Sequence, residues 1–418
     1  KAIYAYNDSD IAIPTIVLDE IDKHKHRQDT VGFNARKVNR LLDALRSDGN
    51  YVDGISLGEG KGKIFVAHYD DRHMPVGLYQ EESDNKILAA AISLREKGKD
   101  VIVVSRDLNM RIKCDGFGLE SHDYEIDKVV RSVDHLFTGV KELTVTEEQI
   151  DTFYQKGKIT LKGQKNKLFP NEFVILKSDV DSKHSALCKN TEKGKIVPVN
   201  KITDIWGMLP RNKEQQFALD LLFDPKIELV SLIGAAGTGK TLLATAAGLE
   251  QVVHSTKKNG GYDKLIITRP VQPMGRDIGF LPGSIEEKMA PWIAPIKDNL
   301  QFLFGDKTAL EMQIDQGTIE IEAMTYIRGR SIANAFIIVD EAQNLTMHEL
   351  KTIITRVGDN TKIVLTGDIQ QIDNVYVDAV SNGLTHAVEK FKEQEISGHI
   401  TLNKGERSTL ATLASEIL

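Results

Sequence analysis

Residues 234–241, Gly-Ala-Ala-Gly-Thr-Gly-Lys-Thr, have the composition of a phosphate cradle. Their spacing fits Gly-x-x-x-x-Gly-Lys-Thr, a pattern that works only between a strand and a helix. Gly234, Ala235, Ala236, Gly237, Thr238 and Gly239 let successive backbone N–H groups curl round phosphate oxygens, and the helix that follows aims its positive end at the same anion. Lys240 has the reach for β- and γ-phosphates, and the Thr241 hydroxyl can ligate Mg²⁺. Downstream, Phe336-Ile-Ile-Val-Asp-Glu341 ends an apolar run in two carboxylates. Alone that is often only a strand end. After a phosphate loop, Asp340 is suited to hold Mg²⁺ through water and Glu341 to polarise an attacking water. A third run, from Lys362, ends in Gly367-Asp368 and then Gln371. An amide at Gln371 can bond a γ-phosphate and register its loss; the bland alternative is a polar turn.

A second set of acids lies near the start. Ile13 to Asp22 is an apolar run entering an acidic stretch, Glu81-Glu-Ser-Asp84 precedes a helical stretch, and Val101 to Asp107 is an apolar run ending in an acid. Each alone is explained by a helix dipole or cap. Together they put carboxylates at one end of a parallel sheet, where such sheets build sites. Oxygen ligands of that kind suit Mg²⁺ or Mn²⁺.

The elements that must position these groups read as alternating strands and helices. Ile11–Leu18 and Val101–Ser105 are expected strands, with helices over Asn34–Arg46 and Asp84–Glu96 between them. From residue 138 to 205 the pattern is β-rich, with short runs Lys158–Leu161, Glu172–Leu176 and Lys195–Val199. Lys156, Lys158, Lys162, Lys165 and Lys167 fall together with no acid among them. A solvated hairpin is the favoured explanation, a phosphate-contacting edge the sharper one. The α/β rhythm then returns, with strands expected at Ile227–Ile233, Lys264–Thr268, Thr318–Glu322, Phe336–Val339 and Lys362–Thr366. The organisation expected is an α/β domain over 1–137, a small β module over 138–205 and a P-loop domain over 206–418.

Bulk properties agree with several soluble domains. The chain has 418 residues, 41% of them hydrophobic and 27% charged. That length exceeds one ordinary core. Net charge is −7, which excludes a protein coated in basic residues but not a local nucleic-acid groove. Cys114 and Cys188 are the only cysteines, far apart and without ligand spacing, so neither a disulfide framework nor a zinc site is indicated. No apolar run is long enough to span a membrane, and the stretch Lys-Ala-Ile-Tyr-Ala-Tyr lacks a signal peptide's apolar region. A cytoplasmic setting is expected.

Two resemblances sharpen these readings. Asp340-Glu-Ala-Gln343 and Gly367-Asp-x-x-Gln371 look like motifs II and III of superfamily-1 helicases, and Asn212-Lys-Glu-Gln215 resembles the segment that reads adenine there. The resemblance makes Gln215 the adenine reader, with Gln216 as the slipped alternative. Thr268-Arg-Pro270, Gly279-Phe-Leu-Pro-Gly283, Arg328-Gly-Arg330 and Asp340-Glu-Ala-Gln-Asn344 fall in the order of PhoH-like ATPases, over residues 206 to 418. The fold implied is RecA-like, the cofactors ATP and Mg²⁺. With one such core per chain, a transition-state arginine would come from a neighbour in a homo-oligomeric ring, expected to be a hexamer. Arg407, in Glu406-Arg407-Ser408, is the first choice; Arg269, Arg328 and Arg330 are the others.

Leu18-Asp-Glu-Ile-Asp22, Asp84-Asn-Lys-Ile-Leu-Ala89 and Val103-Val-Ser-Arg-Asp-Leu-Asn109 resemble the PIN domain, a metal-dependent ribonuclease fold. It implies Glu20, Asp84 and Asp107 as catalytic metal ligands, with Asn109 and Asp115 secondary. Such domains open with a strand carrying a first Asp. Asp8 and Asp10 are poor substitutes, so truncation is expected here, with little nuclease activity. A PIN domain joined to a PhoH-like ATPase implies RNA as partner, with ATP hydrolysis coupled to unwinding and cleavage. The alternatives are a nucleotide-switched assembly or RNA-binding protein with an inactive PIN scaffold, and a DNA helicase.

Overall fold

Apolar runs bounded by turn residues become strands, and stretches with helical spacing between them become helices. The computed structural model describes all residues except 1, 5, 7–8, 28–29, 71, 73, 75–78, 80–81, 125–128, 131, 161–167, 182, 192–193, 255–260, 271–284, 325–330, 375–376 and 406–418. The chain divides into two compact units, Lys1–Asp127 and Lys128–Leu418. No helix among the described residues is long and apolar enough to cross a membrane.

The first unit contains β1 (Ile11–Pro14), α1 (Thr15–His24), α2 (Thr30–Leu45), β2 (Ile55–Ser56), β3 (Lys63–Ala67), α3 (Ser83–Glu96), β4 (Ile102–Val104), α4 (Leu108–Gly116) and β5 (Glu120–His122). The expected helices are α2 and α3, and β4 lies within Val101–Ser105. Two expectations are corrected. The run Ile11–Leu18 is strand only as far as Pro14, whose ring fixes φ at −60° and whose missing N–H suits the position before a helix. Thr15 to Leu18 therefore wind into α1, and Asp19, Glu20 and Asp22 fall in later turns rather than in the first. Among the described residues the strands also do not form one parallel sheet. They form a three-stranded sheet, β1-β3-β2, and a separate parallel pair, β4-β5. β1 and β3 are parallel, but β2 and β3 run antiparallel. Residues 57–62 are too short a connection for a parallel crossover, which needs about a dozen residues. Two small cores result, one around Ile13, Leu42, Ile55 and Ile64, the other around Leu88, Val103, Met110 and Cys114.

The second unit opens with β6 (Val140–Val145), α5 (Glu147–Lys156), β7 (Phe173–Ser178), β8 (Ser185–Asn190) and β9 (Ile196–Pro198), in the sheet order β6-β7-β8-β9. Of the expected runs, Glu172–Leu176 belongs to β7 and Lys195–Val199 holds β9. Only Ile159 of Lys158–Leu161 pairs, bridging Ile196; residue 161 lies outside the described residues. Thr146 and Gln149 form a reciprocal capping box that starts α5.

Then come α6 (Lys213–Phe223), β10 (Leu229–Gly234), α7 (Lys240–Leu249), β11 (Lys264–Arg269), α8 (Ile285–Phe304), α9 (Lys307–Asp315), β12 (Ile319–Ala323), β13 (Ala335–Val339), α10 (Met347–Ile354), β14 (Lys362–Gly367), α11 (Gly383–Phe391) and β15 (Ser397–Leu402). The six strands form one sheet, β12-β11-β13-β14-β10-β15, and every pairing is parallel. Both faces are covered, so β10, β13 and β14 are buried along their whole length and read as continuous apolar runs. The β module shares this core. Phe173 stacks on Phe217 of α6 with ring centroids 4.3 Å apart. Buried Lys189 pairs with Asp220 at 2.6 Å and Asp224 at 2.9 Å.

Candidate nucleotide site

β10 delivers its last residue, Gly234, directly into the loop, and α7 begins at Lys240. Gly239 caps α7 with φ 89°, a conformation closed to most side chains. A Cβ there would also approach the Gln215 amide at 3.2 Å. The Lys240 ammonium lies inside the loop and donates to the Ala235 carbonyl at 3.4 Å.

Neighbouring strands bring the remaining groups to this end of the sheet. Asp340, just past β13, is buried, and one of its oxygens, Oδ1, accepts from two hydroxyls: Thr241 at 2.8 Å and Thr366 of β14 at 2.6 Å. Its N–H donates to the Thr268 carbonyl of β11 at 2.8 Å. Thr268 is itself fully buried, and its hydroxyl has no hydrogen-bond partner among the described residues. Hydroxyl and carboxylate oxygens converging beside a phosphate loop are the donor set a hard divalent cation takes, so Thr241 and Asp340 fit Mg²⁺.

Glu341 follows in a left-handed backbone conformation, φ 53°. Its carboxylate meets Arg269 at 3.3 Å and accepts from the Gln343 amide. The same Gln343 side chain accepts the Asp368 N–H at 3.0 Å and donates to the Gln371 carbonyl at 2.9 Å. A Cβ on Gly367 would sit 2.5 Å from the Gln343 Oε1, so glycine is required for this contact. Asp368 in turn accepts the Ala236 N–H of the loop at 3.1 Å.

The structure thus gathers Lys240, Thr241, Asp340 and Glu341. Gln371 is exposed, and its backbone rather than its amide is tied to the site. Gln215 is buried, takes the Arg211 N–H at 2.8 Å and donates to the Thr238 carbonyl at 3.1 Å, so as placed it braces the loop. Gln216 donates instead to the Asn200 carbonyl. Arg269, a candidate to act in trans, sits in cis on its own Glu341 because β11 adjoins β13. Arg328, Arg330 and Arg407 lie outside the described residues, as does the Gly279–Gly283 motif. Sequence reasoning missed Gln343, Thr366 and Asp368 as members of the site. Gln343 and Asp368 stood in the quoted motifs, but only the meeting of two loops reveals their bonds.

The acids of the first unit are not gathered in this way. Asp107 caps α4, accepting the N–H groups of Asn109 at 2.7 Å and Met110 at 3.2 Å. Asp84 faces the Lys113 ammonium at 3.7 Å, which Glu82 shares at 3.5 Å. Asn109 and Asp115 are exposed on α4. Asp10 takes the Lys63 N–H at 2.8 Å, and Asp8 lies outside the described residues. A hollow of about 410 Å³ in this unit is lined by Asp19 and Asp22 of α1, and Glu20 is not among its lining residues. No three His, Cys, Asp or Glu side chains among the described residues come together to hold a metal. Glu20, Asp84 and Asp107 are not brought together as a group among the described residues: Asp107 caps α4 and Asp84 faces Lys113.

A PhoH-like protein family model matches residues 208–417, half of the chain. Across its whole length the chain is 44% identical to the Protein PhoH2 of Bacillus subtilis, covering 96% of that protein. The chain belongs to the PhoH-like family. A PIN domain model matches residues 1–125, so this member is a PIN–PhoH fusion. A Protein PhoH2 of Thermobispora bispora is 35% identical over 99% of this chain and 92% of its own length. Among solved structures the UvsW helicase of Bacteriophage T4 is 11% identical, over 71% of this chain and 77% of that one, with a TM-score of 0.27. That likeness is too slight to bear on activity. The PhoH-like half is a RecA-like P-loop domain of the ATPase type, joined to a domain of nuclease type. Domains of these two kinds use ATP and a divalent metal.

Proposed function

We propose that this chain hydrolyses ATP to remodel RNA. The observation that carries the reading is the shared network joining Asp340, Glu341, Gln343 and Asp368 to the phosphate loop, in a chain that also has a PIN domain. Lys240 and the loop N–H groups would bind the phosphates, and Thr241 and Asp340 would hold Mg²⁺. When bound, that ion neutralises charge developing on the transferred phosphoryl group. Glu341 would orient the attacking water. Gln343 would pass the state of the phosphate from the loop to the turn at Gln371.

ATP turnover with and without single-stranded RNA tests this. The expected result is turnover raised several-fold by RNA and lost in Lys240→Ala. Basal turnover that no RNA changes would sink it, and equal activation by DNA of the same sequence would make the chain a general nucleic-acid motor. Cleavage of RNA by the PIN domain is the finer part of the proposal, and no metal step follows from its described acids. Lys113 beside Asp84 favours a second reading, a nucleotide-switched RNA-binding protein with an inactive PIN scaffold. Metal-dependent RNA cleavage, abolished in Asp107→Asn, decides between them.

A further inference from the structure

The second unit holds a groove of about 690 Å³ whose lining includes none of the phosphate-loop residues 234–241 and neither Asp340 nor Glu341. That volume is typical of a site for one small ligand or one base. Leu187, Pro198 and Leu209 form apolar walls, with Tyr154, Lys201 and Lys213 alongside them, and none of the lining residues among the described ones is acidic. Tyr154 is 63% exposed and its hydroxyl donates to the Ser185 carbonyl at 2.8 Å, so an exposed ring is held by its tip. Exposed Lys156 and Lys158 follow it in the chain. Glu142 faces Lys213 at 3.9 Å.

An anchored, exposed aromatic ring beside lysines, in an acid-free apolar groove, matches an unpaired base with its phosphates. The base stacks on the ring face and the ammonium groups meet the backbone. We propose that this groove takes a base of single-stranded RNA on Tyr154, with flanking phosphates on Lys201 and Lys213. The proposal rests on RNA being the substrate of the ATPase. It also supplies a route between the two ligands. Asn212 and Gln216 line the same groove. Asn212 caps α6 by accepting the Gln215 N–H at 2.9 Å, and Gln215 braces the phosphate loop through Thr238. A base settling against Asn212 therefore presses on the residue next to that brace.

The test uses the full chain and a fluorescein-labelled oligouridine, read by anisotropy, with 5-iodouridine crosslinking to map the contact. Tyr154→Ala and Lys201→Glu are each expected to weaken RNA binding about ten-fold while leaving ATP turnover without RNA unchanged, and Tyr154→Phe to keep most of the affinity. The crosslink is expected on the peptide bearing Tyr154. Wild-type affinity in both variants would overturn the groove and leave the ATPase reading standing. No RNA binding by the unmodified chain would overturn both. Photolabelling of Tyr154 by 8-azido-ATP, with a raised KM for ATP and unchanged RNA affinity in Tyr154→Ala, would give the groove to the nucleotide's own base and overturn its assignment to RNA.

Discussion

Glu341 is held where few side chains rest. A left-handed backbone at φ 53° costs a non-glycine residue about 1 kcal/mol, and Arg269 and Gln343 fix the carboxylate once it is there. Such strain is kept where the aim of a group matters more than its comfort. Gln343 is the residue to change, because it touches the Glu341 carboxylate, the proposed base, together with the Asp368 N–H and the Gln371 carbonyl. In Gln343→Ala, kcat should fall roughly 10- to 100-fold with nucleotide affinity little changed, since positioning a general base is worth factors of that size. Single-turnover hydrolysis beside equilibrium binding of a fluorescent nucleotide separates the two, and an equal loss of binding would make Gln343 a nucleotide contact instead. The phosphate loop and the Asp340-Glu341 pair were legible in the sequence because their chemistry is contiguous. Gln343 and Thr366 were not, because their partners lie on other strands. Arg269 read as a finger because sequence gives no partner for a charge.

The edge strand β15 ties the sheet to β10, and one buried ring sits at that seam. His399 has Nδ1 3.0 Å from the Ser231 carbonyl of β10 and Nε2 3.0 Å from the Thr401 hydroxyl. The carbonyl accepts from Nδ1–H, and the Thr401 hydroxyl can donate to Nε2, an arrangement that suits the neutral ring burial favours. Burial pushes its pKa down to about 3, from 6.5 in the unfolded chain. The unfolded chain therefore takes the proton first as pH falls. The neutral ring's stabilisation is complete above pH 6.5 and is lost progressively towards 3, at up to about 1.4 kcal/mol per pH unit. Urea midpoints across that window should fall less steeply for His399→Gln than for the unmodified chain; equal slopes would remove His399 from the acid limb. β15 itself escaped sequence reading because Ser-Gly-His-Ile-Thr-Leu is half polar, and its burial comes from tertiary partners. The continuous apolar runs of β10, β13 and β14 were legible for the opposite reason. In the first unit the run across Pro14 misled, since apolar periodicity does not reveal where a proline starts a helix.

At the scale of the whole molecule, the question is where the last positive charge comes from. Lys240 and the loop supply one side of the nucleotide, and Arg269 is engaged with Glu341 in cis. One phosphate-loop motif stands in this sequence, and we propose that an arginine facing the γ-phosphate arrives from a neighbouring copy in a head-to-tail ring. Arg407 remains the first candidate. Two inactive variants test the arrangement. Lys240→Ala is expected to lose phosphate binding, and Arg407→Ala to leave its neighbour's site incomplete. Mixed in equal amounts and allowed to exchange, they place an intact loop next to an intact arginine at about a quarter of the interfaces. Turnover should then return to roughly that fraction of the unmodified rate, and turnover per subunit of the unmodified chain should rise with protein concentration as the ring assembles. A mixture that stays inactive, with turnover per subunit independent of dilution and a monomer in sedimentation, would mean that each chain fires alone. The missing charge would then have to be found in cis, with Arg328 and Arg330 the next to replace.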